Sequence, residues 1–333
     1  MTKTPEEALE QAALAGIHRL ALPTPFAIGK VNCYLIEDEP LTLVDTGPNS
    51  GTSLNALSEG LAARGHSIDD LELIVLTHNH MDHRGLVEIL VEHSGAEVAA
   101  YGPGAERLAN FEAEYQRDDE FAAELMRRGG VPDEVTIALR SVSKSYMAWG
   151  SRVEVTRPFE DGETIELGNR SLRALFRPGH SPMDTIFWDE ERSILLVGDH
   201  LLGGVSSNPT VTRPLDGSPG RNRSLVDYLA SLRKTREIPA EIVLSGHGEP
   251  IEDHTALIDQ RLEATARRKE KMRAMLADGP MSGYEIAQAV WGDIAVTQAY
   301  LTLSEVIGHM DLLEDEGRVR ELDDDGVTRF EAV

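Results

Sequence analysis

The chain reads as a mixed α/β protein built in layers, with a helical insertion and a small terminal unit of helices and a hairpin. Three observations carry that reading. Short apolar runs (Leu73-Ile74-Val75-Leu76, Ile194-Leu195-Leu196-Val197, Ile242-Val243-Leu244) are bounded by polar residues, as buried strands are. Segments with apolar residues at helical spacing lie between such runs, so strands and helices interleave. Each run also empties into a loop carrying His or Asp beside Gly, Ser or Thr.

Taken in order, residues 1–16 read as a short helical start, and 17–22, 31–36 and 41–44 as an antiparallel opening of the sheet. Leu54, Leu57 and Leu61 mark a helix across 50–64. Leu86, Ile89, Leu90 and His93 mark another after the polar loop at 77–83, and 98–101 returns as a strand. Residues 104–150 do not fit the sheet. Phe111, Tyr115, Phe121, Leu125 and Met126 recur at helical spacing, Gly129-Gly130-Val131-Pro132-Asp133 interrupts, and Val135, Leu139, Val142, Tyr146 and Trp149 continue. Such an insertion suits a lid, a subunit contact or a hairpin that only packs on its host, because helical spacing says only that one face is buried. As a lid it would offer aromatic side chains, Tyr146 and Trp149 among them, to a substrate pocket. Residues 1–255 are read as the main domain and 256–333 as a linker helix and terminal module. The module begins with a charged helix at 255–277. A helix at 282–290 has Ser282 as N-cap with Glu285 three residues on. A third, at 299–314, has Leu303, Val306, Ile307, Met310 and Leu313 on one face. Strands at 319–322 and 327–332 flank Asp323-Asp324-Asp325-Gly326, a hairpin signal. Helices followed by a hairpin resemble a winged helix.

The run Thr77-His78-Asn79-His80-Met81-Asp82-His83 holds three imidazoles and a carboxylate within six residues. Imidazole and carboxylate are ligands suited to zinc and its first-row neighbours. From an extended loop His78 and His80 can reach one ion, while Asp82 and His83 point to a second. Further donors follow other apolar runs: His180 in Arg177-Pro178-Gly179-His180-Ser181, Asp199 in Gly198-Asp199-His200, His247 in Ser245-Gly246-His247-Gly248, and Asp45 in Asp45-Thr46-Gly47. Small neighbours let the backbone turn sharply and approach a ligand.

This H-x-H-x-D-H run, with Gly-His, Gly-Asp and Gly-His segments after it in that order, resembles the metallo-β-lactamase superfamily over about residues 17–255. The resemblance implies a four-layer αββα sandwich with two metals at one edge of its sheets. It implies His78, His80 and His180 on one ion and Asp82, His83 and His247 on the other. Asp199 would bridge the two, and Asp45 would support the ligands. One branch of the superfamily carries a winged-helix module after the last ligand, and this tail is similar to it. Two ions sharing Asp199 would hold a water whose pKa falls towards about 7, giving hydroxide without a serine or cysteine nucleophile. The expected activity is hydrolysis of a small ester, thioester or lactone, with Asp82 and Asp199 at the reacting centre. An endoribonuclease or phosphodiesterase, or a non-catalytic metal-binding protein, is the alternative. Zinc is the default, and iron or manganese suit the same mixed donor set. His200 either faces the site as a proton donor or points into the adjacent layer, since neighbouring strand residues face opposite ways.

Composition narrows the partners. With 57 acidic and 32 basic residues the formal charge is −25, which repels nucleic-acid backbones and anionic membranes. From Asp278 onward three basic residues face thirteen acidic ones, a net −10, so the tail is expected to serve packing or homodimer formation rather than DNA or RNA binding. Hydrophobic residues make up 41 % of the chain, enough for a substantial core. No apolar stretch reaches bilayer length, and the first residues lack a signal-peptide core. The single cysteine, Cys33, lies in a strand-like run and reads as a buried structural thiol. A cytoplasmic protein acting on a small molecule is expected.

Overall fold

The computed structural model describes residues 3–333. Helix α1 (Pro5–Leu14) opens with Thr4, whose hydroxyl accepts from Glu7 N–H while the Glu7 carboxylate accepts from Thr4 N–H. This reciprocal pair fixes the first turn. Met1 and Thr2 of the expected helical start lie outside the described residues.

Two sheets follow. The first has six strands in sequence order: β1 (Ile17–Leu22), β2 (Val31–Ile36), β3 (Thr42–Val44), β4 (Leu73–Val75), β5 (Glu97–Tyr101) and β6 (Arg157–Phe159). Its opening three strands are antiparallel as expected, and β3 to β6 run parallel. Between β3 and β5 lie α2 (Gly51–Ala62), α3 (Met81–Arg84) and α4 (Val87–Ser94). The second sheet is ordered β11-β10-β9-β8-β7, with β7 (Thr164–Glu166), β8 (Ser171–Phe176), β9 (Thr185–Asp189), β10 (Ile194–Gly198) and β11 (Ile242–Ser245). Outside it pack α8 (Ser224–Arg236) and the start of α9 (His254–Met275).

Strand periodicity explains the four layers. Tyr34 and Ile36 of β2 turn inward to meet Phe187, Leu196 and Leu244 of the second sheet, while Cys33 and Leu35 turn outward onto Leu57, Leu61 and Leu90 of the helices. On the far side Leu195, Val197 and Val243 meet Leu225, Leu229 and Leu232 of α8. Cys33 is fully buried and burial raises its thiol pKa well above the ordinary value, so it packs as a small hydrophobe. The sheets are pinned together at one edge. Asn32 N–H donates to Gly246 O at 2.7 Å, and Tyr34 Oη donates to Ser245 O at 2.7 Å.

The insertion forms α5 (Ala105–Ala109), α6 (Phe111–Arg128) and α7 (Asp133–Tyr146), broken at the expected Gly-Gly-Val-Pro. At the end of the chain come β12 (Met281–Ser282), α10 (Gly283–Trp291), α11 (Ile294–Thr297), α12 (Ala299–Asp315), β13 (Val319–Asp324) and β14 (Val327–Ala332). The three strands form a sheet ordered β12-β14-β13, so helices are followed by a hairpin as expected. Ser282 and Glu285 make the predicted capping pair. Asp323 and Asp324 belong to β13 rather than to the turn. The turn is Asp325-Gly326, both at positive φ (53° and 83°), as a two-residue turn between twisted strands requires.

The terminal helices share a core with the insertion. Met126 and Val131 from the insertion pack with Leu276, Ile286, Leu303, Val306 and Phe330. A Cβ at Gly129 would lie 2.6 Å from the Leu303 side chain, and one at Gly283 would lie 2.5 Å from it. Leu303 is therefore a knob held between two glycines, one on each side of the junction. Tyr284 N–H closes the same junction by donating to Gly129 O at 2.9 Å.

Candidate metal centre

Strand direction gathers the polar residues. β3 and β4 run parallel, as do β10 and β11, and β8 shares their sense because β9 is antiparallel to both β8 and β10. The residues that follow β3, β4, β8, β10 and β11 therefore emerge at one edge of the sandwich. Those residues are Asp45, the 77–83 loop, His180, Asp199 and His247.

There the side chains converge. Donor atoms of His78, His80 and His180 lie within 4.8 Å of one another, as do those of Asp82, His83 and His247, and those of His78, His83 and Asp199. Asp199 touches both sets, 3.7 Å from His180 Nε2 on one side and 3.3 Å from His83 Nε2 and 3.4 Å from His247 Nε2 on the other. Nε2 of His78, His83 and His247 and Oδ1 of Asp199 are buried without a hydrogen-bond partner. Buried polar atoms are normally satisfied, so this set of nitrogen and oxygen donors fits divalent cations. The approach is close enough to exclude any side chain at Gly246, where a Cβ would lie 2.3 Å from Asp199 Oδ1.

Partners behind the cluster fix which nitrogen faces it. His83 Nδ1–H donates to Asp45 Oδ2 at 2.7 Å. Thr77 Oγ1 donates to the same oxygen at 2.8 Å, so it accepts from His78 Nδ1–H at 2.9 Å. One carboxylate thus orients two imidazoles. His247 Nδ1–H donates to Lys30 O at 2.8 Å, and His180 Nδ1–H to Asn208 O at 3.1 Å. Such outer contacts set tautomer and ring orientation in metal sites.

Charge within the cluster is polarised. Burial opposes ionisation of Asp82 and Asp199, yet the imidazoles of His83 and His247 hold both carboxyls below the usual range. Burial likewise opposes charge on His247, but Asp199 and Asp82 push it up to about 9. His80 goes the other way, down to about 3, through burial and then through His180. Opposed shifts in one cleft are the pattern expected of a functional site.

The cluster forms the floor of a cavity of about 570 Å³. The insertion supplies Leu108, Phe111, Tyr115 and Tyr146 to its walls. Trp149, expected beside Tyr146, is not part of the lining. It ends the short turn after α7, where its carbonyl accepts from Asn49 N–H at 2.8 Å and anchors the segment to the main sandwich. His200 also turns away, as the alternation of strand residues allows. Its Nε2 pairs with Thr235 Oγ1 at 2.9 Å and its ring lies edge-on to Tyr228, both on α8.

Sequence reading missed three contributors. Arg84 lines the cavity and braces the His loop: its Nε donates to Asn79 O at 2.7 Å, its Nη1 donates to Ser151 O, and its guanidinium covers the Phe111 ring at 4.3 Å. Burial lowers its pKa to about 10, leaving it cationic. The loop spanning 199–223 supplies Leu202, Val205 and Asn208, and α12 supplies Tyr300 and Leu301. Tyr300 Oη donates to Val211 O, Ser304 Oγ accepts from Val211 N–H at 3.2 Å, and Asn208 Nδ2 donates to Leu301 O at 3.3 Å. A continuous path therefore runs from α12 through Asn208 to His180. An Arg on a helix and a loop without periodicity give no sequence signal for any of this.

Comparison with known proteins agrees with the architecture. A model of the metallo-beta-lactamase superfamily matches residues 28–247. The probable metallo-hydrolase YqjP of Bacillus subtilis (strain 168) is 34 % identical over 297 residues, covering 89 % of this chain and 92 % of that protein. The Bos taurus acyl-coenzyme A thioesterase MBLAC2 is 30 % identical over 188 residues, covering 53 % of this chain and 60 % of that protein. The crystal structure of a metallo-beta-lactamase family protein from Thermus thermophilus superposes with a TM-score of 0.79 at 27 % identity, covering 97 % of this chain and 100 % of the other. From the strand ends that gather these donors to the match across both sheets, the chain belongs to the metallo-beta-lactamase superfamily and is a metallo-hydrolase.

Proposed function

We propose that the protein hydrolyses a small ester, thioester or lactone at a dinuclear centre. His78, His80 and His180 would hold one divalent ion, Asp82, His83 and His247 the other, and Asp199 both. Zinc suits this donor set best, and iron or manganese also fit it. Ions bound there would act as Lewis acids, making water nucleophilic at neutral pH and polarising a carbonyl oxygen. Water adds to the acyl carbon, the carbon–oxygen or carbon–sulfur bond breaks, and the released proton ends on the leaving atom. Asp82 lines the cavity with Asp199, which places both carboxylates at the reacting centre. Asp45 keeps His78 and His83 oriented, and the insertion and α12 form walls beside the floor.

The observation that carries the reading is a convergent His/Asp floor under a walled cavity of small-molecule size. The thioesterase activity named for the bovine relative supports the acyl part of it. Within this proposal residues 256–333 form a linker helix and winged-helix-like module whose Tyr300 and Leu301 wall one side of the cavity. The test is a panel of thioesters, lactones, β-lactams and phosphodiesters on metal-supplemented protein, with metal content measured in parallel. About two first-row ions per chain and turnover of an acyl substrate are expected. Cleavage confined to phosphodiesters, or metal content near zero after supplementation, would overturn it.

A further inference from the structure

We propose that the cavity over the His/Asp cluster grips a linear apolar chain between Phe26, Ile28, Tyr146, Val205 and Leu301, and that α12 limits the length it accepts. This rests on the acyl-hydrolase reading and names the acyl group it takes.

Large hydrophobic side chains left in water are informative when they gather at one place. Ile28, Tyr146, Val205 and Leu301 remain between 38 % and 47 % exposed, and all four line this cavity. They come from four separate segments: the loop between β1 and β2, the end of α7, the 199–223 loop and the start of α12. The four segments are remote from one another in sequence, yet these exposed apolar side chains meet at this one opening. Phe26 packs edge-on against Tyr146 with ring centroids 5.6 Å apart, so the first two segments are already joined at the rim.

The charged residues that the insertion and the 199–223 loop place beside the cavity pair with one another. Arg213 donates to Glu114 at 2.7 Å and to Asp118 at 3.0 Å. Arg107 is paired with the same Asp118 and lies 3.6 Å from Glu114. Two cations and two anions thus neutralise one another beside the cavity. Outside the metal floor the surface facing a substrate is therefore mainly apolar, which suits an alkyl chain better than a second ionic group. Leu301 is the exposed apolar side chain that α12 brings to the cavity, beside Tyr300. Its backbone carbonyl holds Asn208, so the side chain is presented from a fixed point.

The experiment uses metal-loaded full-length protein and N-acetylcysteamine thioesters of linear acids from about two to twelve carbons. In the wild type kcat/KM is expected to rise about fourfold per added methylene until the cavity is filled, then level off. Leu301→Trp should move that levelling to shorter chains, and Leu301→Ala to longer ones, with metal content unchanged. Binding of linear 1-alkanols by calorimetry, which needs no turnover, should show the same chain-length order and the same shifts. Rates and alkanol affinities independent of length would overturn the proposal while leaving the hydrolase reading intact. Length dependence untouched by both Leu301 variants would overturn the part assigned to α12. Should no thioester be hydrolysed while alkanols still bind in order of length, the apolar grip stands and the acyl-hydrolase reading fails.

Discussion

Asp45 adopts φ 59°, a left-handed conformation that few residues other than glycine occupy and that Asp tolerates better than most. From that position its buried carboxylate reaches His83 directly and His78 through Thr77. The sequence marked Asp45 only as a likeness to a supporting position. The structure adds that one side chain orients a member of each proposed ligand set. Asp45→Asn preserves size and tolerance of positive φ but removes the charge and one acceptor oxygen. Metal affinity is expected to fall about 10- to 100-fold, read by competition with a chromogenic chelator, while the thermal midpoint of metal-free protein changes little. An unchanged affinity would mean that the two imidazoles are held well enough by their own loops.

At the scale of elements the junction between insertion and terminal module rests on Leu303, wholly buried between Gly129 and Gly283. Leu303→Ala should cost about 2–5 kcal/mol, since close-packed glycine backbone cannot collapse into the space, and denaturant titration would measure it. A loss below that range would show the junction to be loosely packed. A second tie is electrostatic. Arg318, just before β13, donates to Glu270 of α9 at 2.6 and 2.8 Å, and those bonds, helped by Arg273, push the Glu270 carboxyl down to about 2 from 4.5. A lowered folded pKa gives stability that is present above about 4.5 and is lost as pH falls towards about 2. Glu270→Gln should therefore be less stable than wild type at neutral pH, with the gap in thermal midpoint closing across that window. A gap that persists at pH about 2 would assign the effect to packing. These elements also show what the sequence made legible. Helices with caps or a clean apolar face, such as α2, α10 and α12, were readable, as were the strand ends carrying His and Asp, because local chemistry defines them. Strands β6, β7 and β12 are two or three residues long and α11 is four, too short for any period to show. The contact of α12 with the cavity depends on how remote segments pack, and no local pattern encodes it.

For the whole molecule, net charge and the burial of α12 bear on the same question. If the terminal helices and hairpin form a winged helix, as proposed, the last helix would be the one to read a DNA groove. Here α12 has no free face for that role: Leu303, Ser304, Val306, Ile307, Gly308, His309, Met310 and Asp311 are all buried. It packs against α6, α8, α9 and α10. Three of its four acids are engaged, Asp311 with Arg221 at 2.6 Å, Asp315 with Arg223 at 2.9 Å and Glu305 with Arg268. The hairpin, which in such a module would reach a minor groove or phosphates, carries Asp323 and Asp324 at the end of β13 and Asp325 in the turn. Phosphate contacts supply most non-specific affinity for nucleic acids, and from Asp278 onward three basic residues face thirteen acidic ones. Titrating labelled duplex DNA and single-stranded RNA into the protein at low salt, where such affinity is greatest, should therefore give no saturable binding. Binding in the micromolar range that weakens steeply with added salt would reverse this. It would also reassign the cavity, because a phosphodiester would then be the natural substrate for a floor of His and Asp. Leu301 distinguishes the two outcomes: it lies at the start of the helix that would have to meet a polymer, and its side chain lines a cavity of about 570 Å³ suited to a small molecule.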